Sequence, residues 1–174
     1  MNIFVTDVNP HISAQTLCDK HVPKMAVETT QMLVSAMRRH GATDDCVPLT
    51  KSGTPHKGGY ANHPCTIWAG ETSANFNWLL QHGFGLVDEY RHRYNKEHAC
   101  EDQLWDISNT NRRNKFIPSG PLTDIALAVG DFRPDDITHA PIADAIFVYR
   151  AFYRWDKSAF AKWDKDPSRK PIWW

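Results

Sequence analysis

Residues 22–40 read VPKMAVETTQMLVSAMRRH and carry the clearest helical pattern in the chain. Pro23 stands in the first turn, where proline is tolerated, and Gly41 follows where a helix commonly ends. The residues that recur at steps of three and four, and so form one face, are Val22, Met25, Ala26, Thr29, Leu33, Ala36 and Met37. Because this face is mostly apolar, the segment predicts an amphipathic helix packed against other elements.

Further helices are predicted on both sides of this segment. Residues 2–6 are a short apolar run that predicts an extended or packed arm, and residues 42–62 predict a long loop rich in Gly, Pro and polar residues. The sequence therefore predicts a mainly α fold, an irregular single-domain helical bundle over residues 1–174 with an extended amino-terminal arm. The other predicted helices cover residues 10–18, a short stretch from 63–64, 73–94, 97–107, 122–129 and 141–163.

Composition limits the classes of protein to consider. The chain has 174 residues, of which 41% are hydrophobic and 23% charged, as in an ordinary globular domain. It has no signal peptide and no apolar run near the length of a membrane span, so we expect a cytoplasmic protein with reduced thiols. None of the four cysteines is spaced as CxxC and no HExxH pattern occurs, so we expect neither a metal nor a cofactor.

The charge gives conflicting signals about nucleic acid. The formal net charge is zero, whereas non-specific DNA binders usually carry a surplus of Lys and Arg for phosphate contacts. Local clusters are basic, namely Arg112, Arg113 and Lys115, and the segment of residues 149–157, which includes Arg154. That segment alternates rings with cations. It suits stacking on bases, and equally a helix with an aromatic core and solvated cations.

Ionisable residues are dense at the start of the clearest helix, in residues 18–24 (CDKHVPK). His21, Lys24 and Glu28 fall on one helical face. His21 has the side chain to transfer protons near neutral pH, Lys24 to hold a phosphate, and Glu28 to act as a base or to orient His21. The alternative is structural, with Asp19 as a capping residue and Lys24 and Glu28 as a surface ion pair.

A second candidate position is His63, within Asn62-His63-Pro64. One interpretation places this imidazole in a substrate site. The other is helix capping by Asn62 or His63 before a helix that opens at Pro64, with Trp68 in the core.

The order of these features resembles the pyrimidine-dimer DNA glycosylases, the small phage enzymes that combine base removal with strand cleavage, and their bacterial relatives. Shared features are the apolar amino terminus, a helix that begins with basic residues around a proline and ends in residues 38–40 (RRH), a histidine before a long helix, and an aromatic and basic segment, here residues 149–163. The bacterial relatives carry an Asn-His-Pro similar to residues 62–64. The resemblance spans most of the chain and implies a bacterial cell or a phage-infected host.

The resemblance implies a mechanism. The α-amine of the first residue attacks the sugar C1′ of a damaged nucleotide, an imine forms as the base leaves, and β-elimination cuts the strand, assisted by a glutamate early in the first long helix. An α-amine suits this role because its ordinary pKa is near 8 and part of it is unprotonated at working pH. The residues then expected to contact substrate or phosphate are Lys24, His63, Arg112, Arg113, Lys115 and Arg154.

Two departures from the family pattern affect the catalytic residues. Asn2 is bulky, so we expect Met1 to be retained and its own amine to serve. In the proline register the family's glutamate aligns with His21, and the first glutamate of the chain is Glu28. The acid–base role would then pass to His21 or Asp19. The catalytic candidates are Met1, Asp19, His21 and Glu28.

Three functions remain open from the sequence. The first is a DNA base-excision enzyme, a glycosylase with an accompanying AP-lyase activity on damaged or modified pyrimidines; it requires the Met1 amine, the His21 imidazole and positive charge around one cavity. The second is an enzyme of the same scaffold acting on a free or modified nucleotide, which the zero net charge favours. The third is a non-catalytic phage or bacterial accessory protein that binds a partner through an exposed Trp173-Trp174.

Overall fold

The computed structural model describes residues 1–132 and 137–174. The described residues form six α-helices and one two-stranded antiparallel ribbon, so the predicted mainly α class is confirmed. In the ribbon, Ile125 pairs with Ala140. The elements are α1 (Pro10–Gln15), α2 (His21–Arg39), α3 (Pro64–Glu71), α4 (Ser73–Tyr94), α5 (Glu101–Asn114), β1 (Ile125–Ala126), β2 (His139–Ala140) and α6 (Ile142–Lys157).

Helix α2 lies at the centre of the fold and confirms the predicted helix over residues 22–40. It contacts α3, α4 and α5, and most of its side chains are buried. Gly41 follows it with φ of +90°, in the left-handed conformation that favours glycine at a helix end. Because three helices pack around α2, its sequence holds buried residues well beyond the single apolar face that the pattern predicted.

The long helix α4 carries two glycines where other helices cross it. A Cβ atom at Gly85 would lie 2.9 Å from the Cα of His11 in α1. A Cβ atom at Gly83 would lie 2.9 Å from Cγ2 of Thr29 in α2. The two glycines lower the helix propensity of α4, but they allow α1 and α2 to pack directly on its backbone.

The amino-terminal arm is buried along α2, as the sequence predicted for residues 2–6. The Phe4 ring stacks on His21, in the first turn of α2, while the amide of Asn2 reaches Glu28. Those two helix positions are seven residues apart, about 10 Å along the axis, which two to three extended residues can span. The arm therefore runs beside the first two turns of α2. Its far end is fixed by Thr6, whose amide donates to Ser13 Oγ at 3.0 Å.

Three sequence predictions in the second half of the chain were wrong in their bounds or their type. Helix α5 covers Glu101–Asn114 rather than 97–107, so it extends through Arg112 and Arg113. Residues 122–129 form no helix, because Ile125–Ala126 pairs with a strand that lies beyond the local sequence window. Helix α6 ends at Lys157 rather than near residue 163, and the following segment turns back over the body of the protein.

The carboxy-terminal segment packs against the start of the chain. Trp163 Nε1 donates to the Thr16 carbonyl at 3.1 Å, and the Asp19 amide donates to the Lys162 carbonyl at 2.8 Å. The Trp174 ring packs edge-on against both Tyr153 and Trp163. The terminal tryptophans thus serve internal packing, which weakens their interpretation as a partner surface. Among the described residues, no helix combines the length and apolar character needed to cross a membrane.

We predict that Gly85→Ala destabilises the protein although alanine favours helix. The added methyl group meets the backbone of α1, which cannot move aside as a flexible side chain would, so we expect a loss of about 1–3 kcal/mol in the free energy of unfolding. Urea denaturation measures this loss. The control is Gly70→Ala, whose Cβ would first meet Ala36 Cβ at 3.4 Å. Equal stability of the two variants would contradict the close approach of α1 and α4.

Candidate active site at the amino terminus

The side chain of Asn2 holds the amino-terminal arm in place. Asn2 Nδ2 donates to the Ala128 carbonyl at 2.7 Å. Asn2 Oδ1 accepts from the amides of Ile3 and Phe4 at 2.7 and 3.1 Å. This tight turn is accompanied by a φ of +52° at Phe4, a left-handed conformation that a bulky residue rarely adopts. The first residues are therefore positioned by specific hydrogen bonds as well as by burial.

The α-amine of Met1 lies beside the carboxylate of Glu28. The amine nitrogen is 3.8 Å from Glu28 Oε2, and the Asn2 amide donates to the same oxygen at 3.0 Å. Lys24, one turn earlier in α2, places Nζ 3.5 Å from Glu28 Oε1. The Glu28 side chain is only 14% exposed, so little water surrounds the carboxylate between its two cations. The amine–carboxylate distance is slightly longer than a hydrogen bond, and such contacts commonly shorten when substrate binds.

The first turn of α3 packs against Met1 and brings His63 near the amine. The Met1 side chain is fully buried, and Thr66 Oγ1 donates to Met1 Sδ at 3.7 Å. His63 caps α3 by accepting the Cys65 amide at Nδ1, which confirms the predicted capping. Burial, and then the positive charge of the amino terminus, lower the pKa of His63. The imidazole is therefore neutral at pH 7, and its proton is on Nε2, free to be donated.

His21 is buried among aromatic rings rather than open to a cavity. It is 3% exposed, and its ring stacks on Phe4 with centroids 4.9 Å apart. The Tyr153 hydroxyl accepts the Cys18 amide and forms a hydrogen bond of 2.7 Å with His21 Nδ1. Burial lowers the pKa of His21 to about 3. The requirement stated from the sequence, that this imidazole shares an open cavity with the Met1 amine, is therefore not met, and a base-excision mechanism at the amine has to use other side chains.

Asp19 joins three parts of the chain through hydrogen bonds. Its Oδ1 accepts from Arg93 Nη1 at 2.9 Å and its Oδ2 from the Lys165 amide at 3.0 Å. Arg93 also binds Glu89 inside α4, with Nε 2.7 Å from Oε1. The expected capping role was wrong, because no side chain caps the start of α2. Both carboxylate oxygens of Asp19 are engaged in binding α4 and the carboxy-terminal segment.

Three lysines, Lys20, Lys24 and Lys157, form a cationic cluster around the start of α2. Each of them further lowers the pKa of His21, after the larger effect of burial. Lys20 Nζ lies 4.6 Å from the centre of the Phe160 ring. Lys20 was not among the predicted site residues, although it stands inside the ionisable stretch of residues 18–24. Lys157 was not among them either, because only the folding of α6 brings that residue to α2.

The other expected phosphate contacts lie at the end of α5 and on α6. Arg112, Arg113 and Lys115 are exposed at the end of α5. Arg154 is exposed as well, and its Nη1 donates to the Trp173 carbonyl at 3.0 Å. Within the described part of the chain, hydrogen bonds and ion pairs do not join these four residues to Met1. A groove of about 510 Å³ adjoins the end of α5 and is lined by Ser73, Asn111, Arg112, Lys115, Ile117, Pro118 and Ser119.

A smaller groove of about 270 Å³ opens next to the residues that hold the arm. Pro64 in its wall follows His63, and Leu127 precedes Ala128, the acceptor of the Asn2 side chain. The lining residues are Pro64, Ile67, Glu71, Leu127, Thr138 and His139. Within residues 1–132 and 137–174, no group of three or more His, Cys, Asp or Glu side chains is placed to hold a metal ion.

We predict that His21 contributes to stability with a characteristic pH dependence. Its pKa falls from the ordinary 6.5 to about 3 on folding, so the unfolded chain takes up a proton that the folded one excludes. The contribution of His21 to the free energy of unfolding is therefore fully present above pH 6.5 and is lost as the pH falls towards 3. Between pH 7 and pH 5, the free energy of unfolding of the unmodified protein should fall. We expect the fall to be about 2 kcal/mol smaller for His21→Gln, which keeps a hydrogen-bonding group for Tyr153.

Urea denaturation at the two pH values measures this difference. The control is His139→Gln, because His139 is exposed and should leave the pH dependence unchanged. Should His21→Gln keep the full pH dependence and instead abolish activity, the structural role of His21 would be refuted and a catalytic role supported.

Comparison with known proteins identifies the family. A family model described as pyrimidine dimer DNA glycosylase matches residues 1–102, which is more than half of the chain. The match includes the arm, α1 to α4, Glu28 and His63, and it ends within α5. No curated protein and no solved structure matches the chain significantly. The resemblance inferred from the order of sequence features is thereby confirmed, and the chain belongs to the pyrimidine dimer DNA glycosylase family.

Proposed function

We propose that this protein excises damaged or modified pyrimidines from DNA and then cuts the strand, with the α-amine of Met1 as nucleophile. One observation carries the proposal, namely the 3.8 Å distance between that amine and Glu28 Oε2. The amine is held beside a carboxylate and a neutral imidazole at the end of a buried arm. A primary amine in such a position can form an imine with a deoxyribose, and a carboxylate can move the protons that this chemistry requires.

The proposed reaction has three stages. The neutral amine bonds to C1′ as the bond between C1′ and the base breaks, and the base leaves with a proton. The attached nitrogen loses one proton, and as its lone pair forms the C1′=N iminium bond the C1′–O4′ bond breaks, O4′ takes up a proton and the sugar ring opens. Removal of a proton from C2′ then breaks the C3′–oxygen bond and releases the 3′ phosphate ester. Water hydrolyses the imine and returns the free amine. Each stage requires a proton acceptor or donor within reach of C1′ and C2′.

We assign this acid–base role to Glu28. It accepts a proton from the Met1 ammonium, and later the proton from C2′. The Asn2 amide on Oε2 and Lys24 on Oε1 fix the direction of the carboxylate. The proline register had pointed to His21 or Asp19. Both of those side chains have their hydrogen bonds inside the fold, with Tyr153 and Arg93.

His63 and the cationic cluster are proposed to hold the substrate. The Nε2 proton of neutral His63 suits an oxygen of the sugar or its phosphate. Lys24 and Lys20, exposed at the start of α2, and Lys157 supply positive charge beside the arm although the whole chain is neutral. Arg112, Arg113 and Lys115 would contact phosphates farther along a duplex, which requires DNA rather than a single nucleotide.

The zero net charge favours a second candidate, a free or modified nucleotide as substrate. A mononucleotide needs only the cationic cluster and His63, and not the cations of α5. Salt dependence separates the two candidates, because binding to several phosphates releases several counterions. A steep fall of affinity for a duplex oligonucleotide with rising salt supports DNA, and a flat dependence supports the nucleotide.

We predict that sodium borohydride traps a covalent complex with a duplex containing one thymine dimer or one abasic site. Borohydride reduces the imine to a stable amine, and mass spectrometry should place the DNA on Met1. Adding a glycine before Met1 moves the amine away from Glu28 and should abolish trapping, while a glycine added after Trp174 should not. A complex formed on a lysine side chain would contradict the proposal.

We predict that Glu28→Gln slows strand cleavage by about 100-fold or more, the usual contribution of a general acid–base group. Glutamine keeps the size and the Asn2 contact but cannot take up a proton. Single-turnover cleavage of the abasic duplex measures the rate. Glu97→Gln, at an exposed position, is the matched control. A Glu28→Gln rate equal to that of the control would rule out the assigned role.

A further inference from the structure

A group of stacked aromatic rings reaches the surface on α6 and the loop before it, with Trp155 exposed, Phe132 half-buried and Phe152 buried. Trp155 is 62% exposed, and its ring stacks on Phe132 with centroids 5.4 Å apart. Phe152, one turn earlier, lies beneath both rings, at 5.7 Å from Phe132 and 6.3 Å from Trp155. These three rings form what we term the aromatic platform. Because an exposed tryptophan gives up much apolar burial, a stacked pair at the surface is typical of a binding site.

The aromatic platform adjoins the arm that carries the amine. The Phe152 ring lies 6.4 Å from the Phe4 ring. Phe132 is connected to the arm as well, since its amide donates to the Val129 carbonyl and the neighbouring Ala128 carbonyl accepts the Asn2 side chain. Two separate routes therefore link the platform to the first residues of the chain. A strand bound at the amine would have part of its length near these rings.

The charges beside the platform fit a nucleic-acid strand. Lys157 Nζ lies 5.6 Å from the centre of the Phe4 ring and 5.3 Å from that of Phe152. Its partner Asp156 neutralises part of this charge, and Lys20 and Lys24 also lie close enough to His21 to lower its pKa. Flat exposed rings next to cations suit stacked bases joined by phosphates.

We infer that the aromatic platform stacks an unpaired base of the DNA strand whose sugar is held at the amine. The choice of DNA as the ligand rests on the proposed function. Stacking on Trp155 and Phe132 offsets the loss of base stacking when the duplex is opened beside the lesion. The protein then binds DNA with an unpaired base more tightly than fully paired DNA. The platform lies outside residues 1–102, so the family match does not include it.

The test measures binding by fluorescence anisotropy, using the full-length protein and labelled oligonucleotides without a lesion. One duplex is fully paired, and the other has the same sequence with a two-nucleotide bulge. We expect Trp155→Ala to weaken binding of the bulged duplex by about tenfold or more, and Trp155→Phe to keep most of the affinity. Binding of the paired duplex should change less than twofold.

The matched control is Trp105→Ala, because Trp105 is also exposed, at 52%, but lies on α5 and packs on Phe84 of α4, and neither of these helices packs substantially on α6. Equal affinities of the Trp155→Ala and Trp105→Ala variants for the bulged duplex would overturn the inference. A dimer seen in sedimentation experiments that dissociates in the Trp155→Ala variant would also overturn the inference, since a second copy of the chain would then occupy the rings. The outcome is independent of catalysis, because Glu28→Gln protein should show the same dependence on Trp155 even if borohydride traps nothing.

Discussion

A chain terminus usually moves freely in solvent, because it is charged and has a neighbour on one side only. In this protein the first two residues are instead fixed against Glu28, whose carboxylate faces both the Met1 amine and the Asn2 amide. This contact sets the path of the arm, which must run beside α2 to reach it. The position of α3 is linked to it as well, because Thr66 contacts the buried Met1 side chain.

The same helix thus provides the centre of the core and the proposed acid–base group. Helices α3, α4 and α5 pack around α2, so Glu28 stands on a helix that is held by three neighbours. The proposed nucleophile, at the end of such an arm, would lose little further freedom when it meets a sugar. Fixed geometry of this kind contributes strongly to catalysis, because the reacting group has already lost translational and rotational freedom when the protein folds.

Local pattern predicted much of the fold, and the limits of that prediction have a physical cause. Helix α2 was predicted correctly because its apolar repeat lies within one segment. The β1 strand was missed, since its pairing with Ala140 depends on a distant segment.

The grouping of side chains at the candidate active site was predicted in part. Met1, Lys24, Glu28 and His63 come together, but the register along α2 favoured His21 as the acid–base residue. Only the path of the arm shows that the chain end passes His21 and stops two turns later, at Glu28.

The left-handed backbone at Phe4 has a consequence for engineering a more heat-resistant form of the protein. A bulky residue at φ of +52° costs about 1–2 kcal/mol, so glycine at position 4 would relieve the strain. The same exchange would remove the ring that covers His21 and backs Phe152. Loss of this buried ring costs about 3–5 kcal/mol, which is more than the relieved strain returns, so Phe4→Gly would lower the melting temperature. A search for heat-resistant variants should therefore keep Phe4 and place stabilising substitutions elsewhere in the chain.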